Sequence, residues 1–381
     1  MGELTPPPRP GLALVVNAGS TSLKAAVFAD DASQEPLWAV NVDDATIGTD
    51  RVAGFERALG SAPKVREITV VGHRVVHGGQ RFDRPILIAA EVEAAITAMQ
   101  ELAPLHNQAA LDGIAAARRV VAPEVPHVAV FDTAFHRGLP AAAAAYGGPH
   151  RWLDQGLRRY GFHGISHEHA AHTAATILRR PLGSLRLVTC HLGGGCSLAA
   201  IDRGRSIDTT MGFTPLDGLV MATRAGAVDP GLIFHLLRSG TPLDELRYLL
   251  EECSGLLGLS GISADLREVI TARDAGDERA ALAVDVFIHR VATGVGAMIA
   301  ALGGTHAIVF TGGIAEHSPE VRARVSDHFA FLGVTLDEDR NQANPVDTDL
   351  RGVGATVPVL VVRAREELAI AREAFRIRPW R

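Results

Sequence analysis

Cysteine is scarce and poorly spaced for either a staple or a metal finger. Cys190, Cys196 and Cys253 are an odd number with no C-x-x-C pair, which excludes a disulfide framework and a zinc ribbon and points to a reducing cytoplasm. Basic excess is missing too. Lys and Arg total 37 against 43 Asp and Glu, a net charge of −6 with no basic block, so nucleic acid is not the expected partner. No stretch resembles a secretion signal at the N-terminus. The longest apolar run, Ala280 to Leu302, carries Asp285, His289 and Arg290 in its middle, which removes the membrane reading and leaves a core helix between two lobes. A zinc-peptidase signature is absent as well. His163, His167, His169 and His172 crowd ten residues, but Ala171 stands where H-E-x-x-H needs its second histidine. On a helix His167 and His172, five apart, would diverge, so no zinc site is expected.

What is present is a long chain with ample core. At 381 residues two domains are the default, and 47% apolar with 21% charged residues is a globular balance. Met1 to Pro10, with four prolines in ten residues, reads as a disordered tail. Strands and helices alternate through the rest: Ile68 to Gly72, Pro85 to Ala89 and His127 to Phe131 as strands; Glu91 to Leu102, Gln108 to Ala122 and Ser166 to Arg179 as helices. That alternation predicts α/β layers. No low-complexity linker is visible, and Ala141 to Ala145 reads as a connection and hinge near a lobe boundary.

The most informative segment is Asn17-Ala18-Gly19-Ser20-Thr21-Ser22-Leu23-Lys24 directly after the apolar run Leu12 to Val16. Gly and Ser allow backbone N–H groups and hydroxyls close to phosphate oxygens, and Lys24 can add a point charge. The spacing is not a Walker loop, and Leu23 to Phe28 reads as a returning strand. Taken alone, the octet equally fits an ordinary Ser-rich turn. A second copy follows, where Leu185 to Cys190 runs into His191-Leu192-Gly193-Gly194-Gly195-Cys196-Ser197 and then Leu198 to Ile201. A third glycine turn, Thr311-Gly312-Gly313-Ile314-Ala315-Glu316, follows His306 to Phe310 and precedes a helix start at Ser318-Pro319-Glu320. Three glycine turns after three strands predict a duplicated α/β chain that holds a nucleotide.

Charged candidates sit where strands end. Arg74 lies beyond one strand and Asp132 beyond another; His163 stands between glycines before a helix, and Arg224 stands in a Gly/Ala-rich turn. Taken singly, Arg74 reads as a surface arginine and Asp132 as a turn or helix cap.

In chain order these segments resemble the acetate kinase family over about residues 11 to 375. The stretches carrying the resemblance are NAGSTSLK, GHRVVHGG, ELAPLHN, VFDTAFH, RYGFHGISH, CHLGGG, MGFTPLDGLVMATR, SGISADLRE, FTGGIAEHS and REELAIARE. The resemblance implies a duplicated actin-like ATPase (ribonuclease H-like) fold, with two lobes around a nucleotide cleft. One lobe would be residues 11–134 plus 367–381, the other residues 135–366 with the nucleotide site. It implies reversible transfer of the γ-phosphoryl group of ATP to acetate, giving acetyl phosphate and ADP, with Mg²⁺ or in its place Mn²⁺, in a cytoplasmic homodimer without membrane or nucleic-acid partners.

Residue by residue, the resemblance assigns Arg74, Asp132, His163 and Arg224 to catalysis. Arg74, Val76, Leu105 and Phe162 would receive the small carboxylate. Lys24, Ser20, Ser22, His191, Leu192, Gly193, Gly194, Gly195, Asp265, Leu266, Arg267, Gly313, Ile314, Ala315, Glu316 and His317 would bind the nucleotide, and Asn17 and Glu366 the metal. Because acetate is already ionised near pH 7, a base has little to do, and Asp132 is expected to orient Arg74 or metal-bound water. Gly194 stands where the family usually has Asn, Ala315 and His317 replace Gly and Asn, and Ala222 replaces Gly. A propionate or butyrate kinase would need only a slightly larger methyl pocket. A non-catalytic actin-like ATP-binding switch would need no Arg74, His163 and Arg224 together.

Overall fold

The computed structural model describes residues 11–19, 22–31, 33–101 and 104–379; the expected disordered tail, Met1 to Pro10, lies outside them. The chain divides into two compact units, Met1–Ala134 with Arg365–Arg381, and Phe135–Ala364.

In the first unit β1 (Leu12–Ala18), β2 (Ser22–Ala29), β3 (Trp38–Asp43), β4 (Ile68–Val75), β5 (Ile86–Leu87) and β6 (His127–Phe131) form one sheet in the order β3-β2-β1-β4-β6-β5. β1 is buried along nearly its whole length, which is why it reads as a continuous apolar run rather than an alternating one. Leu14, Val16, Leu23, Ala25 and Val27 pack with Phe55, Leu59, Ala109 and Ala116 of the helices Arg51–Gly60 and Pro104–Val120. Each large side chain buried there stabilises the fold by about 1.5–3 kcal/mol. The helix Glu366–Ile377 returns from the chain end to pack on β1, β4 and β6. Gly72 permits this close approach, since a β-carbon there would meet Ile370 Cγ2 at 2.7 Å.

Two boundaries here differ from the sequence reading. The helix expected over Glu91 to Leu102 stops as an α-helix at Ala98 and tightens into a 3₁₀ turn at Met99–Glu101, ahead of Pro104. That same proline then opens the next helix, which begins at Pro104 rather than Gln108, where its missing N–H costs nothing. The strand expected over Pro85 to Ala89 is only Ile86–Leu87, an edge pair on β6.

In the second unit β7 (Arg186–Leu192), β8 (Cys196–Asp202), β9 (Arg205–Thr209), β10 (Ala307–Thr311), β11 (Thr348–Asp349) and β12 (Val359–Val361) follow the order β11-β12-β10-β7-β8-β9. Matched strand for strand, this is the first sheet's order again. Each has an antiparallel β1–β2 or β7–β8 hairpin, two successive parallel neighbours and an antiparallel edge strand. The helix Gly164–Leu178 covers one face through Ala170, Ala171 and Ala174 against Leu187, Ala199, Ile201 and Val309. The helix Glu278–Leu302 is the one described helix long and apolar enough to cross a membrane. It packs against β7, β8 and β9, so it is a core helix of the second unit itself. Ala141 to Ala145, expected as a hinge, contains a helical turn, Ala141–Ala144, inside this unit, whose boundary falls at Ala134/Phe135.

Candidate active site

Three adjacent parallel strands of the first unit present polar groups at their C-terminal ends. The register pairs Val16 with His73 and Arg74 with Val130, which sets Asn17 beside Arg74 and brings Asp132, two residues past Val130, up on the same side. Arg74 donates through Nε to Asp132 Oδ2 at 2.9 Å and through Nη1 to Asn17 Oδ1 at 3.1 Å; its Nη2 also contacts Asp132 Oδ2. Asn17 in turn donates through Nδ2 to Glu367 Oε1 at 3.0 Å. Asp132 is 1% exposed, and its Oδ1 has no hydrogen-bond partner among the described residues.

Burial alone would weaken the Arg74 cation, but the charges of Asp132, Glu366 and Glu367 outweigh it and hold the guanidinium above its ordinary pKa. Burial pushes the Asp132 carboxyl up against the opposing pull of Arg74. Arg74 Nε and Nη2 both donate to the same oxygen, so the pair is a locked fork rather than a free carboxylate. Val76 follows β4 and is buried. Lys24 stands opposite Asn17 on β2 and is exposed; Ser22 opens β2, where Gly19 N–H donates to Ser22 O at 2.8 Å. Glu366 is half-buried at the first turn of the helix Glu366–Ile377. Ser20 lies outside the described residues, as does the side chain of Leu105.

The second unit assembles His163, Gly195 and Arg224. His163 takes a left-handed conformation, φ 56 and ψ 25, immediately before the helix Gly164–Leu178, a strained state for a non-glycine residue. Its ring stacks on His191 with centroids 4.2 Å apart. A β-carbon placed on Gly195 would lie 3.1 Å from His163 Nε2 and 3.7 Å from Arg224 Nη1, so the hairpin turn, the imidazole and the guanidinium surround one point. Arg224 is steadied through Nη1 to Pro215 O at 3.2 Å. The loop carrying it is pinned by Tyr146, whose hydroxyl accepts from Phe213 N–H at 2.7 Å, and by Arg159 Nη1 donating to Thr210 O at 2.8 Å.

A cavity of about 920 Å³ opens beside the glycine turns, lined by Gly193, Gly194, Asp265, Leu266, Arg267, Gly313, Ile314 and His317 of the expected set. Sequence reasoning missed Ala264, Ile270, Ser318, Pro319, Glu320 and Gln342 on its wall. Ala315 and Glu316 of the third glycine turn do not line it. Ala315 is fully buried, and Glu316 turns inward, where Oε1 accepts from Gly312 N–H at 3.1 Å and Ala364 N–H at 2.8 Å. Within the helix Gly313–His317, residues 313, 314 and 317 share one face and 315 and 316 the other. His191 and Leu192 are buried beneath the turn rather than on the wall, with His191 Nδ1 2.8 Å from Ser166 Oγ. Phe162 is 1% exposed, and its carbonyl accepts from His136 Nε2 at 3.0 Å.

The family model described as Acetokinase family matches residues 58–372. A chain from Trichormus variabilis named acetate kinase is 46% identical, covering 96% of this chain and 98% of that one. The solved acetate kinase of Porphyromonas gingivalis superposes with a TM-score of 0.86 at 33% identity, covering 96% of this chain and 99% of its own. A propionate kinase from Francisella tularensis also gives 0.86, at 35% identity, covering 97% of this chain and all of its own.

Proposed function

Because the chain belongs to the acetokinase family and carries its duplicated actin-like fold, we propose that it transfers the γ-phosphoryl group of ATP reversibly to acetate, forming acetyl phosphate and ADP. The observation that carries this reading is Arg74, kept charged and aimed by Asp132 and Asn17 at the strand ends. A carboxylate that attacks a polyphosphate is an anion approaching an anion. The dominant barrier is charge repulsion, so fixed cations and N–H donors are the groups that lower it. Arg74 receives the acetate carboxylate, with Val76 beside its methyl group. His163 and Arg224 donate to the equatorial oxygens of the phosphoryl group as it passes in line between oxygens. Backbone N–H groups of Gly194 and Gly313 hold the nucleotide phosphates, while Leu266, Ile270 and Ile314 offer apolar surface to the base. Asp132 abstracts no proton in this scheme, since acetate is already ionised near pH 7; through Oδ2 it holds the Arg74 cation in place.

The residues fit Mg²⁺. The Glu366 carboxylate and the unpartnered, buried Asp132 Oδ1 are hard oxygen donors; Asn17 Oδ1, which also accepts from Arg74, has a second lone pair to offer. When bound, the ion supplies charge neutralisation at the phosphate oxygens. The exposed Leu232, Phe234, Leu243 and Tyr248 on the helices Pro230–Arg238 and Leu243–Glu252 support a homodimer. Sedimentation of wild type and Phe234→Glu tests it, and an unchanged mass for the variant would remove that face from the interface. A cytoplasmic setting accords with the free thiols, among which burial pushes Cys196 up to about 12.

The test of function is ADP release with acetate, propionate and butyrate, paired with hydroxamate capture of the acyl phosphate. Acetate should give the highest kcat/KM. Propionate is the second reading, favoured by the likeness to the Francisella propionate kinase, and one methylene separates the two by only about 1–3 kcal/mol. No acyl phosphate from any of the three acids would overturn the proposal.

A further inference from the structure

The antiparallel register of β7 and β8 pairs Thr189 with Ala199 and His191 with Ser197. Side chains alternate along strands, so Thr189, His191 and Ser197 all point to the face covered by the helix Gly164–Leu178, which follows His163 directly and carries His167 in its first turn. A chain of contacts runs through this layer. Thr189 Oγ1 lies 2.7 Å from His167 Nδ1, His167 Nε2 lies 2.8 Å from Ser197 Oγ, and Ser197 Oγ lies 2.9 Å from His163 Nδ1. Thr189, His167 and Ser197 are each 0% exposed. Burial, and then the neighbouring His136 and His191, hold the His167 pKa well below its ordinary value, so it brings one ring proton at neutral pH.

Three links need three protons, and a threonine, a neutral histidine and a serine bring that number. Pointed toward His163, Thr189 O–H donates to His167 Nδ1, His167 Nε2–H donates to Ser197 Oγ, and Ser197 O–H donates to His163 Nδ1. Every link is then filled. Pointed the other way, the Thr189 proton must go to Ala199 O at 3.5 Å, the outer limit of a hydrogen bond. Resting on the reading of His163 as a donor to the transferring phosphoryl group, we propose that Thr189, His167 and Ser197 are positioning residues that fix the polarity of this chain. They thereby hold His163 in the tautomer whose proton sits on Nε2. An Nδ1–H tautomer would instead turn a lone pair at the phosphoryl oxygens and repel them. The stacked His191 ring limits rotation about the same axis.

The experiment reads the tautomer directly, by ¹⁵N NMR of histidine-labelled full-length protein near pH 7.5, beside steady-state kinetics. The expected wild-type signal for His163 is protonated Nε2 and unprotonated Nδ1. Thr189→Val keeps the side-chain shape and touches no substrate. It should give a mixture of tautomers and a kcat lower on the order of 10-fold to 100-fold, less than the 10²–10³ that loss of a donor itself costs, with KM for the nucleotide unchanged. Ser197→Ala should do the same, and Ser197→Thr, which restores a hydroxyl, should recover most of the rate. A protonated Nδ1 in the wild type, or a Thr189→Val protein with unaltered tautomer and kcat, would overturn the proposal. A chain without acyl-phosphate activity but with the expected tautomer and its loss in Thr189→Val would keep the positioning network and sink only the assigned reaction.

Discussion

Acidification is expected to undo the second unit through His136. Its ring is 0% exposed, and both nitrogens are committed in the neutral form: Nε2 donates to Phe162 O, and Nδ1 accepts from Ser206 Oγ at 2.7 Å. Burial, only partly offset by the Phe162 carbonyl, takes its pKa from 6.5 down to about 4. Between those two values the unfolded chain binds a proton that the folded chain refuses. The stabilisation is therefore present in full above pH 6.5, declines as the pH falls, and is gone below about pH 4. The slope for one proton is about 1.4 kcal/mol per pH unit, which accumulates to roughly 3 kcal/mol over the window. Against a total stability of about 5–15 kcal/mol that is a large share. Urea unfolding followed by circular dichroism at steps from pH 7 to 4.5 measures it. His136→Gln, neutral and able to donate and accept, should flatten the dependence by one proton. Equal slopes for variant and wild type, or a His136 ring resonance titrating near 6.5, would refute the reasoning.

Other perturbations bear on the charged site and its scaffold. Arg74→Lys keeps a charge but cannot bridge Asp132 and Asn17 as the planar fork does, so kcat/KM for acetate should fall on the order of 100-fold while unfolding curves stay close to wild type. Gly195→Ala puts a methyl 3.1 Å from His163 Nε2 and should lower kcat with little change in nucleotide KM. Gly194→Asn projects into open space; it should fold normally and lower KM for ATP by adding an amide at the phosphates, and a raised KM would place the phosphates elsewhere. Arg322 is fully buried and donates to Asn341 Oδ1 and O, Ala315 O, Glu316 O and Asn344 Oδ1. Arg322→Met strips all five acceptors, with an expected loss of about 3–5 kcal/mol in denaturant unfolding.

The strand–turn–strand units were legible because buried strands write themselves as unbroken apolar runs, and Arg74 and Asp132 stood out where those runs end. Ser197 was not legible. In sequence it is one more small residue in a glycine turn, and its importance depends on β7–β8 register and on a helix that begins more than thirty residues earlier. Ala315 and Glu316 illustrate the opposite failure. A motif names consecutive residues, whereas one turn of helix sends Ile314 and His317 to the cavity and their neighbours to the interior. The left-handed backbone at His163 likewise had no local signal, since a glycine lies on either side at 161 and 164 and the strain falls on the histidine itself.

The repeated strand order has a consequence for how such a protein acquires new chemistry. Each sheet completes its own ladder and its own apolar layer, so what stands at the strand ends is released from the work of holding the scaffold. One copy has filled those ends with an amide, a guanidinium and a carboxylate; the other follows β7 and β10 with glycine turns, 193–195 and 312–313. Divergence after doubling needed no change of architecture, only opposite choices of side chain at the same topological addresses.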